Sequence, residues 1–286
     1  MKVFYRPEQT AEVRGLFSPS MYKPALVVAD WQERFKPEMV SFEPVTRAQL
    51  AAVHDPRYVQ GVLDLELDNG FDGRQRAIAD SLPFTTGSMV AAALAAWREG
   101  GITCSPTSGF HHARYARGGG FCTFNGLMVA VVELLQAGAD TVGIMDLDMH
   151  YGDGTVDIIH RLGLKDRVQH FTLGAKLRGP DDEQDTLAEV QQQARQMAAA
   201  VDVILYQAGA DSHAEDPLGG VFSTEGYALR DEYVFSAARE ARTPVAWNLA
   251  GGYQTPVEKV IALHGITYRA AVAAGTGQPD WRTWRK

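Results

Sequence analysis

Short apolar runs alternate with longer helical segments along most of this chain. Runs such as residues 102–105, 203–207 and 244–249 are bordered by Gly, Pro or Asp, and each is followed by a segment typical of a helix. Strands that alternate with helices indicate a mostly parallel sheet with helices on both faces. The sequence therefore predicts an α/β fold. Because the 286 residues are 45% hydrophobic and contain no linker, we expect a single domain spanning 1–286.

Local signals place the individual elements. Thr46 and Gln49 have the spacing of a capping box, which predicts a short helix towards His54, and Gly100 and Gly101 end a long Ala-rich helix. The predicted strands are 25–29, 102–105, 141–146, 168–173, 203–207 and 244–249. Besides the short helix after Thr46, the predicted helices are 56–65, the Ala-rich 85–99, 125–136, 156–162, 183–200, 224–241 and 256–272.

Composition excludes several classes of protein. The net charge is −8 and the sequence has no basic run that could neutralise a phosphate backbone, so we expect no nucleic-acid partner. No apolar stretch is long enough to cross a membrane, and the N-terminus lacks the apolar core of a signal peptide. The two cysteines, Cys104 and Cys122, are not in a Cys-x-x-Cys pair. These features are typical of a cytoplasmic protein with reduced thiols, and we expect no membrane partner.

Unusual polar segments follow four of the predicted strands. They are Ser108-Gly-Phe-His111-His112-Ala, the cluster from Asp146 to Asp153, Ala208-Gly-Ala-Asp211-Ser, and Ala250-Gly-Gly-Tyr253. Ligands of open parallel sheets bind outside the carboxyl ends of the strands. Packing alone does not explain four such clusters at one edge, so they predict a shared active site.

The segment from Asp146 to Asp153 carries the most informative side chains. Asp146, Asp148 and His150 alternate with apolar residues after the predicted strand 141–146. In an extended strand, side chains two residues apart share a face, so these three would point the same way. Carboxylate and imidazole groups at this spacing favour a divalent transition metal such as zinc. A strand-end cluster that caps the next helix is the alternative.

Taken together, these motifs resemble the histone deacetylase superfamily, which has the arginase–deacetylase fold. The likeness runs from about Ala51 onward. The matching pieces are Gly-Phe-His111-His112-Ala, Gly-Gly-Phe121-Cys, Asp146-Leu-Asp148-Met-His150-Tyr-Gly-Asp153-Gly, Ala-Gly-Ala-Asp211 and Gly-Gly-Tyr253. The triple glycine before Phe121 and the stretch Asp216-Pro-Leu-Gly-Gly look closest to the class IV branch and its bacterial relatives. The resemblance implies a zinc-dependent deacetylase or deacylase.

The resemblance also implies a role for each matching residue. The zinc ligands would be Asp148, His150 and Asp211, and the catalytic residues would be His111, His112, Asp146, Asp153 and Tyr253. His112 would be the general base and His111 mainly an electrostatic partner. Buried carboxylates, Asp146 for His111 and Asp153 for His112, would fix the tautomers of the imidazoles. Tyr253 would donate its hydroxyl to the substrate carbonyl oxygen.

Two further features are implied by the family. Phe121 and Gly120 would line a narrow substrate channel. A structural K⁺ or Na⁺ ion would be held by Asp146, Asp148, His150, Thr172 and Leu173. Asp72 would match a rim aspartate that binds substrate amides, although a plain turn aspartate explains it equally well.

The chain departs from the family pattern at two places. In most relatives the loop after the position of Leu173 carries an aromatic residue that faces the position of Phe121. This chain instead reads Gly-Ala-Lys-Leu-Arg-Gly-Pro after Leu173. One wall of the channel is therefore expected to be open, which puts a preference for acetyl groups in question. Tyr151 stands where many relatives have a second histidine.

Three functions remain open on the sequence. The first is a zinc amidohydrolase that removes an acetyl or other acyl group from a lysine side chain or from a small amine such as a polyamine, as an acetylpolyamine amidohydrolase does. The second is a ureohydrolase with two manganese ions, which needs a further carboxylate where this chain has Gly152. The third is a non-catalytic protein that binds acyl-lysine.

Overall fold

A computed structural model describes residues 1–13 and 17–276 of the chain. Within these residues seven parallel strands form one sheet, in the spatial order β2-β1-β3-β7-β6-β4-β5. The prediction of an α/β fold is confirmed. The single-domain prediction also covers 14–16 and 277–286, which lie outside the described residues. The strands are β1 Lys2–Phe4, β2 Glu38–Val40, β3 Ile102–Ser105, β4 Val142–Asp146, β5 Val168–Thr172, β6 Val203–Gln207 and β7 Val245–Asn248.

Helices cover both faces of the sheet because successive strand side chains alternate between two buried clusters. Ile144 and Leu205 join one cluster, and Met145 and Tyr206 join the other. No helix in the described part of the chain is both long and apolar enough to traverse a bilayer. The helices are α1 Lys23–Arg34, α2 Arg47–Ala51, α3 Pro56–Leu63, α4 Arg76–Glu99, α5 Gly126–Gln136, α6 Asp153–Arg161, α7 Glu183–Ala200, α8 Thr224–Ala241 and α9 Glu258–Thr276.

The first predicted strand, residues 25–29, is wrong because this segment lies inside helix α1. Pro24 occupies the first turn of the helix, where its missing N–H removes no hydrogen bond. Val27, Val28 and Trp31 are buried together, which is the spacing of one helix face. A run of five apolar residues fits a strand or a buried helix equally well, so periodicity alone could not decide between them.

Most other elements agree with the sequence. Both ends of β3, β6, α7 and α8 are as predicted, and α2 has the predicted capping box. Thr46 Oγ1 accepts a hydrogen bond from the Gln49 N–H at 3.2 Å, and Gln49 Oε1 accepts one from the Thr46 N–H at 2.9 Å. Helix α4 begins at Arg76 rather than Thr85, and it includes Pro83. The short strands β1 and β2 were not predicted.

The strand order determines which loops meet. Strands β3, β7, β6 and β4 are consecutive neighbours in the sheet, and all four run in the same direction. Their carboxyl ends therefore lie at one edge, and the polar segments that follow them converge there.

Candidate active site

Two carboxylates and one imidazole meet at this edge. Asp148 and His150 follow β4, and Asp211 lies in the short 3₁₀ turn after β6. One potential ligand atom from each of the three residues lies within 4.8 Å of the other two. His150 Nδ1 is 3.1 Å from Asp148 Oδ1 and 2.9 Å from Asp211 Oδ2. The structure thus brings together the three residues that the sequence proposes as metal ligands.

The way in which the three residues converge differs from the prediction. Strand β4 ends at Asp146, so Asp148 and His150 are not on one face of an extended strand. The chain turns instead: Asp146 Oδ1 accepts a hydrogen bond from the Asp148 N–H at 3.3 Å, and Asp148 Oδ1 accepts one from the His150 N–H at 3.0 Å. Aspartate side chains commonly bond to the backbone two residues ahead in this manner.

The chemistry of these donors fits a zinc ion. Asp148 and Asp211 are both almost completely buried. Burial raises the pKa of Asp211 to about 7, and the negative charge of Asp148 adds to this shift. Two neighbouring carboxylates in a buried place need a compensating cation to remain ionised. Oxygen and nitrogen donors from three residues are a typical catalytic zinc set, which leaves coordination positions open.

Gly251 allows the close approach of the two carboxylates. Its N–H donates to Asp148 Oδ2 at 3.0 Å. A Cβ atom at this position would lie 2.5 Å from Asp211 Oδ2 and 2.7 Å from Asp148 Oδ2, which is closer than real Cβ contacts. A side chain at position 251 would therefore displace both carboxylates.

Replacing Gly251 by Ala is expected to weaken zinc affinity by about 10–100-fold, because both carboxylates must move away from their present positions. Titration of the purified variant with zinc in a competition assay measures this change. Gly119→Ala is the matched control, since a Cβ atom at position 119 meets nothing within 4 Å. Equal zinc affinities for the two variants would contradict the proposed role of Gly251.

A pair of histidines lies beside the three candidate ligands. The ring centroids of His111 and His112 are 4.2 Å apart. His111 Nδ1 donates to Asp146 Oδ2, and His112 Nδ1 donates to Asp153 Oδ1, each at 2.7 Å. Both pairings expected from the resemblance are present. His111 Nε2 is 3.5 Å from Asp148 Oδ1, so the pair adjoins the candidate metal centre.

The two His–Asp pairs differ in their surroundings. Asp146 is completely buried, but the side chain of Asp153 is 27% exposed, so the expectation that both carboxylates are buried is wrong for Asp153. Asp153 begins α6 and also bonds the guanidinium of Arg114, which keeps it near the surface. Position at a helix start favours its negative charge.

These different surroundings shift the pKa values of the two imidazoles in opposite directions. Burial disfavours the charged form of His111, but the carboxylates of Asp146 and Asp148 outweigh burial and raise its pKa to about 9. For His112, burial and then the neighbouring His111 lower the pKa below its usual value, despite the bond to Asp153. His112 is therefore the imidazole that is neutral, and so able to accept a proton, near pH 7.

Tyr253 follows β7 and lies at the same edge of the sheet as the other candidate site residues. Its backbone N–H donates to Asp216 Oδ2 at 2.7 Å. Burial, and after it the carboxylates of Asp148 and Asp211, raise the pKa of the Tyr253 hydroxyl far above its usual value. The hydroxyl therefore stays protonated and can donate a hydrogen bond. Sequence reasoning noted the stretch that contains Asp216 but gave this residue no role.

Phe121 stands beside Tyr253, with ring centroids 5.8 Å apart. Its φ of 63° lies in the left-handed region, which is rare for a bulky residue and marks strain held in place by its surroundings. The preceding Gly120 lies against His112, since a Cβ there would be 2.4 Å from the ring. Both proposed channel residues thus contact the candidate site.

Two buried cations also support these loops, and sequence reasoning missed both. Lys23 Nζ on α1 donates to the carbonyl oxygens of Ala250 at 2.6 Å and Gly251 at 3.2 Å. Arg230 on α8 donates to the carbonyl oxygen of Gly209 at 2.7 Å and forms an ion pair with Asp231. The two cations hold the backbone on either side of the site. A basic residue inside a helix gives no sequence signal for such a role.

The residues expected around a monovalent cation lie at adjacent strand ends. Asp146 of β4 pairs with Thr172 of β5. Thr172 Oγ1 accepts a hydrogen bond from the Gly152 N–H at 3.1 Å, and the Leu173 carbonyl accepts one from Arg178 Nε at 3.4 Å. Two of the expected oxygen donors therefore already have protein partners.

Fold and site together define an α/β protein with a candidate metal centre and a histidine pair at the carboxyl edge of a parallel sheet. The sequence matches the family described as the histone deacetylase domain over residues 21–173 and 163–266. The chain belongs to this family. An uncharacterized protein of Picosynechococcus is 30% identical over 247 residues, which cover 79% of this chain and 82% of that protein.

Other relatives are more distant. Histone deacetylase 2 of Arabidopsis thaliana is 31% identical over 62% of this chain, and the match spans half of the plant protein's length. Among solved structures, the HDA15 HD domain has a TM-score of 0.77 at 18% identity and covers 97% of this chain and 88% of its own. An acetylpolyamine aminohydrolase from Burkholderia pseudomallei has a TM-score of 0.72 at 18% identity, covering 96% and 99%. At this identity the two structures support the fold alone.

Proposed function

We propose that the protein is a zinc-dependent amidohydrolase that removes an acetyl or other acyl group from a lysine side chain or a small amine. The observation that carries the proposal is the candidate metal centre of Asp148, His150 and Asp211 directly beside the paired imidazoles of His111 and His112. Amide hydrolysis needs a site that polarises the carbonyl and a base that activates water, and this arrangement offers both.

The residues of the candidate site have different roles in the proposed hydrolysis. When bound, a zinc ion supplies a Lewis acid that polarises the amide carbonyl. His112 is neutral near pH 7 and takes the proton of the attacking water, while Asp153 holds its ring. His111 is held by its hydrogen bond to Asp146 and acts mainly as an electrostatic partner for the negative charge that develops. The protonated hydroxyl of Tyr253 donates to the same developing oxyanion.

The proposed substrate is an acylated amine with Phe121 and Gly120 lining its channel. Sequence relatives named histone deacetylase and acetylpolyamine amidohydrolase support acyl-lysine and acyl-polyamine as the two classes to test. We further propose that residues 1–286 form one catalytic domain. A structural K⁺ or Na⁺ ion beside β4 and β5 belongs to the same proposal, with Asp146, Asp148, His150, Thr172 and Leu173 around it.

Ureohydrolase chemistry is the second candidate, and one observation disfavours it. The further carboxylate that a second metal needs would stand at Gly152. A Cβ atom there would lie 2.7 Å from Asp146 Oδ2, so a larger side chain does not fit without moving the His111–Asp146 pair.

Metal analysis combined with an assay on fluorogenic acyl-lysines and acyl-polyamines tests the proposal. One zinc per chain together with release of the acyl group is the expected result. Two manganese ions with urea release would instead support the ureohydrolase. Absence of turnover with zinc, manganese, iron or cobalt would favour a protein that binds acyl-lysine without hydrolysing it.

A further inference from the structure

Phe17 is an exposed aromatic residue that lies against the candidate site. The residue is 67% exposed, although its ring contacts two other aromatic rings of the protein. Its ring is stacked on Tyr253, with centroids 6.2 Å apart and an interplanar angle of 15°. The centroid of Phe121 is 6.4 Å away. Phe17 therefore contacts the proposed oxyanion donor and the proposed channel wall at once.

The residues Phe121 and Tyr253, whose rings lie next to Phe17, have further contacts within the protein. Phe121 has a left-handed backbone, and its ring contacts Phe71, with centroids 5.8 Å apart. The backbone of Tyr253 is bonded to the buried Asp216. Phe17 is more exposed than Phe121 and Tyr253, so it forms the outer side of this aromatic surface. We call Phe17, Phe121 and Tyr253 the aromatic triad.

The loop after β5 contains no aromatic residue in the described segment 174–180. The loop after β5 carries Leu177, which is fully exposed. Its neighbours Lys176 and Arg178 bond Glu189 of α7 at 2.9 and 2.7 Å, so their side chains are directed to that helix. The side chain of His150 is 36% exposed. The loop after β5 therefore adds no ring to the aromatic triad.

We propose that Phe17 is a specificity-determining residue that binds the unbranched aliphatic chain between the acylated nitrogen and the rest of the substrate. This inference rests on the proposed function. When the carbonyl is at Tyr253, the methylene groups next to the amide nitrogen lie over the aromatic triad. Burial of methylene groups against flat aromatic rings is favourable and increases with chain length. The favoured class is therefore an acyl amine with a long linear chain.

Phe17→Ala tests this inference with a series of N-acetylated linear amines of increasing chain length. The expected result is a loss of about tenfold in kcat/KM for the longest amines, arising from KM, with little change for the shortest. The value of kcat should stay close to that of the wild-type protein, because Phe17 touches no reacting atom. Leu177→Ala is the matched control, since it removes an exposed apolar side chain from the loop after β5, outside the aromatic triad, and it should leave KM unchanged.

Two measurements separate this role from a structural one and from the proposed function itself. Thermal unfolding of Phe17→Ala should match that of the wild-type protein, while calorimetry should show weaker binding of the longest amine. If Phe17→Ala retains the wild-type dependence of KM on chain length, the inference is wrong. If the wild-type protein hydrolyses none of the series, the proposed function fails, and equal dissociation constants for wild type and Phe17→Ala would then overturn the inference separately.

Discussion

Replacing His112 by Ala is expected to lower the rate of deacylation by about 10²–10⁴-fold, the contribution typical of a positioned general base, while zinc stays bound. His112 is bonded to Asp153 through Nδ1, which leaves Nε2 as the atom that can take a proton. Burial and the charge of His111 keep its pKa below the usual value, so it is neutral at pH 7. Steady-state kinetics and metal content of the same preparation measure both parts of the result.

His160→Ala is the control for loss of an imidazole, because His160 is exposed on α6 outside the site. Its kinetics should match those of the wild-type protein. A zinc-loaded His112→Ala variant with a rate near that of the wild type would remove His112 as the base. Loss of zinc from this variant would show instead that His112 is needed for the metal centre.

Replacing Tyr253 by Phe is expected to lower kcat by about 10²–10³-fold, the scale of losing one oxyanion donor. The substitution keeps the ring contacts with Phe17 and Phe121 and removes only the hydroxyl. KM should therefore change little, because substrate binding by the ring is preserved. Measurement of kcat and KM on one acyl-lysine substrate separates the two effects.

Tyr233→Phe provides the comparison, since it removes a hydroxyl from a partly buried tyrosine of α8 that has no assigned role. This variant should behave as the wild-type protein does. Near-normal kcat in Tyr253→Phe would mean that the hydroxyl does not reach the oxyanion. A large rise in KM with unchanged kcat would assign Tyr253 to substrate binding alone.

The sequence predicted β3 and β6 well because residues that end strands border each short apolar run, such as Gly101 and Pro106 around β3. Strands β3 and β6 have both ends as predicted, but residues 25–29 were assigned to a strand although they belong to α1. Five apolar residues satisfy both patterns, and only the neighbouring elements decide which one forms. Strands β1 and β2 have three residues each, which is too short for a periodic signal.

The candidate site was predictable where its residue types are chemically specialised. Carboxylates and histidines at strand ends indicate a metal centre even without a structure, and Asp148, His150 and Asp211 are brought together as proposed. Lys23 and Phe17 were not predictable. Lys23 bonds Ala250, 227 residues further along the chain, and no local pattern encodes such a contact. Their roles follow only from the packing of α1 and the segment before it against the loop after β7.

The position of β7 in the sheet has a consequence for biosynthesis. This strand is the last of the described strands along the chain, yet it lies between β3 and β6. A nascent polypeptide that has not reached residue 245 lacks the strand that joins the part of the sheet with β3 to the part with β6. Pairing between segments so distant in sequence forms late in folding. Such a polypeptide also lacks the Gly251 N–H, which donates a hydrogen bond to Asp148, a proposed metal ligand. A chain that is terminated before residue 245 should therefore lack both the continuous sheet and the proposed metal centre.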